Sequence, residues 1–403
     1  MKRLYLYDDS QARSFEPFVL TRPVSELRAG AELIRARWER GAGTKAYGFL
    51  SAPHLSSFDE GGASSAVTGE TTIPPGSLVV NSRFVVSLSE TIDDLSAAFA
   101  CEGTVCAVRV RQSINTDALI DGSMALESLV PAEATPRPIE GRWLGNVWDL
   151  IGGLSAQLTE DIPIMGAELS GAAIENATVI GKNSVYCETG AAIEPFVILD
   201  ATDGPILIRR GATIASFTRI VGPTYIGEGS HIAGDAIRGC SIGDVCKVRG
   251  EIASTVMLGH SNKAHTGFVG SSYIGRWVNL GAGTTTSNLK NTYGTVQLWT
   301  PDGLRDTGLQ FLGSLMGDHA KTGIGTMLTT GCVVGTGANV YGAHSTPKRI
   351  PPFAWGEREP YGRYDRKKFL EVAERMMARR HVTLSASARK QLHDAYSASE
   401  DTR

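Results

Sequence analysis

Between Ile174 and Val340 aliphatic residues recur every six positions, with Gly, Asn, Asp or Ser between them. Ile174 is followed by Ile180 and Tyr186, Ile226 by Ile232, Ile242 by Val248, Ile274 by Leu280, and Leu328 by Val334 and Val340. A period of six fits neither a helix nor an isolated two-residue alternation. It fits a coil with three flat sides, each turning one aliphatic residue to the axis, and so predicts a hexapeptide-repeat β-helix over 164–345. Glycine supports this placement: of 46 glycines, 30 lie from Gly166 to Gly342, where tight corners demand positive φ.

The flanking segments follow other patterns. Residues 1–145 carry a short apolar run at Leu4–Tyr7, a helix-like stretch at Ser25–Arg40, strand-like runs at Ser77–Val80 and Thr104–Val110, and a helical Thr91–Phe99. This mixture predicts a small α/β domain. A connecting helix is expected over 146–163, ending before Pro163. Gly294–Asp306 breaks the six-residue period and predicts a protruding loop or hairpin. Residues 346–403 form a proline-rich segment and a helical tail, in which Phe369, Val372, Ala373 and Met376 share the buried face of a helix over Asp365–Arg380. The basic residues Arg366, Lys367, Lys368, Arg375, Arg379 and Arg380 make its solvated side.

Composition narrows the possible functions. The 403 residues, 42% hydrophobic and 20% charged, suit an ordinary multi-domain globular chain. A formal charge of −3 argues against broad capture of nucleic acid or anionic membrane. Six scattered cysteines without a CxxC predict neither a disulfide framework nor a cysteine-rich zinc site, and with no signal-like or membrane-spanning stretch a cytoplasmic location is expected.

The densest chemistry lies in GHSNKAHTGFVGSSYIGRWVNLGAGTTTSNLKN, residues 259–291. From His265 to Asn288 this stretch follows, without a gap, the motif H-x3-[LV]-G-x3-[IV]-G-x2-[VI]-N-[IL]-G-A-G-T-x3-N. It closely resembles the acetyltransferase domain of the bifunctional N-acetylglucosamine-1-phosphate uridylyltransferase/glucosamine-1-phosphate acetyltransferases. The resemblance implies a left-handed β-helix behind a nucleotidyltransferase domain, a homotrimer, and acetyl-coenzyme A as donor substrate. It implies a catalytic base at His265, acceptor-sugar contacts at Phe268 and Asn279, and coenzyme contacts at Ala282, Asn288, Leu289 and, through FLGS, Ser314. Phe268 stands where the family has tyrosine, and Arg249 is the nearest candidate for the family's basic acceptor contact.

These residue types suit the chemistry. Acetyl transfer to an amine needs a group that takes up a proton near neutral pH and donors for a developing oxyanion. The backbone of Gly281–Gly283 is a candidate source of those donors. A rival reading rests on the H-x4-H spacing of His260 and His265, which resembles the ligands of γ-class carbonic anhydrases; it implies a zinc site completed across subunits, with His231 as a third ligand and water activated by the metal. His319 and Lys321 read equally as phosphate ligands and as solvated coil corners.

The N-terminal segment resembles sugar nucleotidyltransferases more distantly. FVLTRPVSELRAG echoes the family's L-T-x3-P-K phrase, but the loop after LYLYDD contains no glycine. If this domain transfers nucleotide it uses Mg²⁺ and UTP or dTTP, with Arg22 and Arg28 as candidate phosphate contacts. The functions implied are N-acetylation of an amino-sugar phosphate such as glucosamine 1-phosphate, nucleotidyl transfer with the β-helix as a trimerisation platform, or sugar-nucleotide binding without turnover.

Overall fold

A computed structural model describes residues 3–69, 71–93 and 95–400, which form two compact units. One comprises the chain up to Val147 together with residues from Leu384 onward, and the other runs from Trp148 to Thr383.

In the first unit a six-stranded sheet has the order Arg137–Pro138, Ala98–Cys101, Thr104–Arg109, Leu78–Asn81, Leu4–Tyr7, Ala46–Leu50. Leu4–Tyr7 pairs in parallel with both neighbours and is buried on both sides, hence its unbroken apolar character. The chain passes first to Ala46–Leu50 on one side and then to Leu78–Asn81 on the other. The carboxyl ends of Leu4–Tyr7 and Leu78–Asn81 therefore flank a topological switch point, where open α/β sheets form ligand crevices. The helix Ala386–Ala398, which hydrophobic periodicity did not single out, belongs to this unit and is capped by the Ser385 hydroxyl accepting from Ala388 N–H at 3.0 Å.

Two helical expectations fail here. Within Ser25–Arg40 only Ile34–Ala42 is α-helical, because Gly30 at φ +66° turns the chain and lets Arg28–Ala29 pair with Glu32–Leu33. Thr91–Phe99, of which Asp94 lies outside the described residues, does not form a helix. The Asp93 carboxylate accepts from Leu95 and Ser96 N–H at 2.8 and 2.7 Å, offering the backbone a turn instead. Ala98–Cys101 then pairs with Thr104–Arg109 through the two-residue Glu102–Gly103 turn, both at positive φ.

The second unit opens with helices Asp149–Gly152 and Leu154–Ala167, and Pro163 lies inside the latter rather than beyond its end. The chain then winds as a parallel β-solenoid. Its first face runs from Ala177–Gly181 through Phe268–Gly270, its second from Val185–Cys187 to Arg349–Ile350, and its third from Ala192–Ile193 to Ala354–Gly356. Ile226, Ile232, Ile242, Val248, Ile274, Leu280, Leu328, Val334 and Val340 all enter one continuous core. Ile180 does not: it pairs with Asp200 on the outside of the first coil and is 43% exposed, so the inward register there is carried by Ala177 and Val185. Gln297–Thr300 and Gly303–Asp306 form the expected hairpin, anchored by Arg349 over the Trp299 ring at 4.0 Å. Helix Arg366–Ala378 buries Phe369, Ala373 and Met377, so Met377 takes the place assigned to Met376.

Coil stacking makes some glycines obligatory. A Cβ on Gly243 would lie 2.3 Å from the Leu258 carbonyl oxygen of the next coil, whereas Gly61 has open space around it. Gly243→Ala is expected to cost about 1–3 kcal/mol, since the clash is with backbone, and Gly61→Ala to be neutral. Chemical denaturation of the two variants checks the contrast.

Candidate functional site

At the level of Asn262–Lys263 the corner between the third and first faces widens. Two residues, Arg249 and Gly250, turn the preceding coil here, but four, Ala264 to Gly267, turn this one. His265 stands exposed on that corner, with no described residue hydrogen-bonded to its ring. Arg249 occupies the same corner one coil earlier: its N–H donates to the Lys263 carbonyl at 2.7 Å and its guanidinium meets Asp235 at 3.4 Å.

The next residues turn onto the first face. Gly270 is the floor on which two others meet, because a Cβ there would lie 2.3 Å from the Phe268 ring and 2.7 Å from the Asn288 amide nitrogen. The Asn288 side chain donates to the Ser271 hydroxyl at 3.2 Å, and Leu289 pairs with Phe311 across the base of the inserted segment. Ser314 is buried at the next corner, between the first and second faces, where its N–H donates to the Ser272 hydroxyl at 2.9 Å. Asn279 stands on the outer side of the third face and accepts from Asn262 at 2.8 Å. Register stacks Lys247, Asn262, Asn279, Lys321 and Asn339 along that face.

The glycine-rich corner one coil on requires a correction. Gly281 N–H donates to the Thr322 carbonyl and Gly283 N–H to the Thr266 carbonyl, both at 3.1 Å, so these two amides serve the coil and not an oxyanion. Between them, the Ala282 N–H donates to no described residue, and its carbonyl accepts from Gly325 at 2.8 Å.

Two of the three histidines of the zinc reading are engaged within the chain. His231 Nδ1 shares a 2.6 Å hydrogen bond with Thr213, and His260 Nδ1 accepts from Arg276 at 2.8 Å while its ring packs on Trp277. Burial pushes the His260 imidazole down to about 4. Among the described residues no group of three or more His, Cys, Asp or Glu is placed to hold a metal ion. His319 is buried between Trp277 and Phe369, and the Lys321 ammonium, pushed down to about 8 by burial, donates to the His319 carbonyl at 3.0 Å. His319 belongs to the packed interior, whereas Lys321 is half-buried on the outer side of the third face.

At the switch point of the first unit most polar groups are paired within the fold. Asp9 accepts from Arg83 at 2.6 and 2.8 Å, from Asn81 at 2.8 Å and from Ala12 N–H at 2.8 Å. Asp8 accepts from the Ser51 hydroxyl at 2.6 Å and from Val24 N–H at 3.1 Å, and burial raises its carboxyl above the ordinary range. Arg22 pairs with Glu60 at 3.0 Å, and Arg28 donates to the Ala31 carbonyl; both are buried. Asp9 is thus fully engaged, whereas the buried Asp8 Oδ1 has no hydrogen-bond partner among the described residues.

Residue periodicity had not singled out Lys263, Gly270 or the buried threonines Thr284 and Thr322, whose hydroxyls meet at 2.8 Å inside the coil. The signal for Lys263 was available: a lysine occupies the inward position that Val248 and Leu280 fill in adjacent coils.

The Asp9–Arg83 pair allows a test. Burial would raise the Asp9 carboxyl, but Arg83 and Asn81 outweigh it and hold the group below its ordinary range. Its stabilisation is therefore full above the unfolded pKa near ~4 and is lost as pH falls through the folded value. Arg83→Met is expected to cost about 3–5 kcal/mol at neutral pH and to flatten the acid limb of the stability profile, as read by denaturation against pH.

Residues 4–168 match the family model for sugar nucleotidyl transferases. The bifunctional protein GlmU of Desulfitobacterium hafniense is 29% identical over 194 residues, covering 41% of this chain and 39% of that protein. GlmU of Thermodesulfovibrio yellowstonii is 33% identical over 117 residues, covering 28% and 24%. A bifunctional sugar-1-phosphate nucleotidylyltransferase/acetyltransferase of Sulfurisphaera tokodaii is 32% identical over 91 residues, 23% of each chain. The chain thus aligns with less than half the length of these relatives. No helix among the described residues is long and apolar enough to cross a membrane. With a sugar nucleotidyl transferase match over residues 4–168 and a parallel solenoid behind it, the chain is similar, over part of its length, to the bifunctional GlmU proteins.

Proposed function

We propose that the solenoid transfers an acetyl group from acetyl-coenzyme A to the amine of an amino-sugar phosphate, glucosamine 1-phosphate being the first candidate. The observation that carries this reading is the meeting of Phe268 and Asn288 over Gly270, three residues beyond the exposed His265 corner.

In this reading an unprotonated His265 nitrogen takes the amine proton as the nitrogen attacks the thioester carbonyl. The tetrahedral intermediate collapses with cleavage of the C–S bond, and the coenzyme leaves as thiol once the proton is returned to sulfur. The Ala282 N–H, unused within the coil, is the backbone donor for coenzyme or oxyanion. Asn288, Leu289 and Ser314 border the coenzyme's path, while Arg249 and Asn279 face the acceptor. The Phe268 ring offers an apolar floor for the sugar and no hydroxyl. Packing as a homotrimer would close a neighbouring copy's face over this corner.

A second activity, nucleotidyl transfer by the first unit, is favoured by the family match over 4–168. Against it stand the internal pairings of Arg22, Arg28 and Asp9, which leave the glycine-free first loop without a phosphate cradle.

The test is His265→Ala. Because the ring is exposed and hydrogen-bonded to no described residue, the variant is expected to keep its circular dichroism and melting temperature while thiol release from acetyl-coenzyme A with glucosamine 1-phosphate falls by 10²-fold or more. An unchanged rate in the folded variant removes His265 from the mechanism.

A further inference from the structure

The inward positions of the third face are Ile214, Ile232, Val248, Leu280 and Val340, all buried and aliphatic, with Thr322 filling one level and Lys263 another. Lys263 is 0% exposed. An ammonium inside the prism is expensive unless its donors are taken up, and an aliphatic residue would fill the same position at no such cost. What accompanies the lysine is the widened corner. Its Nζ donates to the carbonyl of His265 and, at 2.9 Å, to that of Thr266.

The surroundings fit this arrangement closely. Gly267, at φ +129°, passes so near that a Cβ would lie 3.3 Å from Nζ and 2.3 Å from the Thr284 carbonyl oxygen. The Thr266 carbonyl accepts a second donor, Gly283 N–H of the following coil, and the Lys263 carbonyl accepts from Arg249 N–H of the preceding one. The side chain thus anchors the corner from inside its own coil, while backbone bonds from Arg249 and Gly283 join that corner to the coils before and after. Burial pushes its ammonium down to about 8, opposed by the more distant Asp235.

We infer that Lys263 is a positioning residue for the transfer reaction: by drawing the carbonyls of His265 and Thr266 inward, it turns the His265 side chain outward and fixes the direction of its ring. The inference rests on the acetyl-transfer reading of this corner. Without the ammonium the four-residue corner keeps its length but loses the inner anchor for two peptide planes, and His265 samples several orientations. A displacement of about an ångström at a general base is enough to cost on the order of 10- to 100-fold in rate without altering coenzyme binding.

The experiment compares wild type, Lys263→Met, Lys263→Gln, His265→Ala and the Lys263→Met/His265→Ala double variant. Thiol release and N-acetyl product are followed at saturating and subsaturating acetyl-coenzyme A, and the His265 ring resonances are recorded by NMR. Lys263→Met is expected to lose about 10- to 100-fold in kcat with its KM for acetyl-coenzyme A within about twofold of wild type. Lys263→Gln, which keeps an N–H donor, is expected to recover part of the loss. The double variant is expected to be no slower than His265→Ala, since two residues acting through one group are not additive. Should Lys263→Met not fold, Lys263→Gln carries the comparison, again with kcat lowered and KM held.

Wild-type kcat in the folded Lys263 variant, or a double-variant loss equal to the product of the single losses, overturns the inference. If wild type releases no thiol, or His265→Ala matches it, the acetyl-transfer reading fails instead. The NMR comparison then decides on Lys263: shifted or broadened His265 ring resonances in the folded variant support positioning, and unchanged resonances contradict it.

Discussion

The structure of the second unit depends on one constraint: each coil must hydrogen-bond to the next along its faces and at its corners. Parallel pairing leaves only about a coil's thickness between successive backbones, so residues without a Cβ are required wherever one turn presses on another. Gly243 against Leu258, Gly250 against Gly267 and Gly281 against Gly323 are instances. The aliphatic ladder inside the prism follows from the same stacking, because each inward position repeats at the same place in the cross-section and packs on its copies.

Where the aliphatic ladder changes character, the candidate centre begins. After Val248 the third-face interior holds Lys263, then Leu280, then Thr322, with Thr284 hydrogen-bonded to Thr322 at the corner. Buried polar groups of this kind are tolerated only when satisfied, and here they are satisfied largely by corner carbonyls and by one another. The polar seam fixes the shape of a corner that four residues would otherwise leave loose. Beside it, Gly281 and Gly283 give their amides to carbonyls of neighbouring coils, and the Ala282 N–H between them donates to no described residue.

The two units differ in how far their residues could be read in advance. The six-residue period located the solenoid because its packing is local and repetitive: Ile242 and Val248 reveal their faces without knowledge of anything distant. It failed at Ile180, where the first coil has a neighbour on one side only and the inward register no longer selects the aliphatic residue. In the first unit, Ser25–Arg40 reads as helix until Gly30 turns it, and Asp93 diverts Thr91–Phe99 through its own carboxylate. Helix Arg366–Ala378 was legible from its stripe, offset by one residue, whereas Ala386–Ala398, with few large apolar residues, was not. For the chemistry, His265, Phe268 and Asn288 were legible as a motif. Lys263 was hidden because a lysine in sequence reads as surface, and only the ladder register places it inside.

The central claim is that chemistry runs at the corner of Ala264 to Phe268 in the solenoid. The most direct measurement incubates the wild-type protein with acetyl-coenzyme A, glucosamine 1-phosphate and UTP, and reads thiol and pyrophosphate release on the same sample. The account predicts thiol release, matched mole for mole by N-acetylated sugar phosphate, whether or not pyrophosphate appears. Pyrophosphate release with no thiol would contradict it and make the solenoid a platform for the first unit.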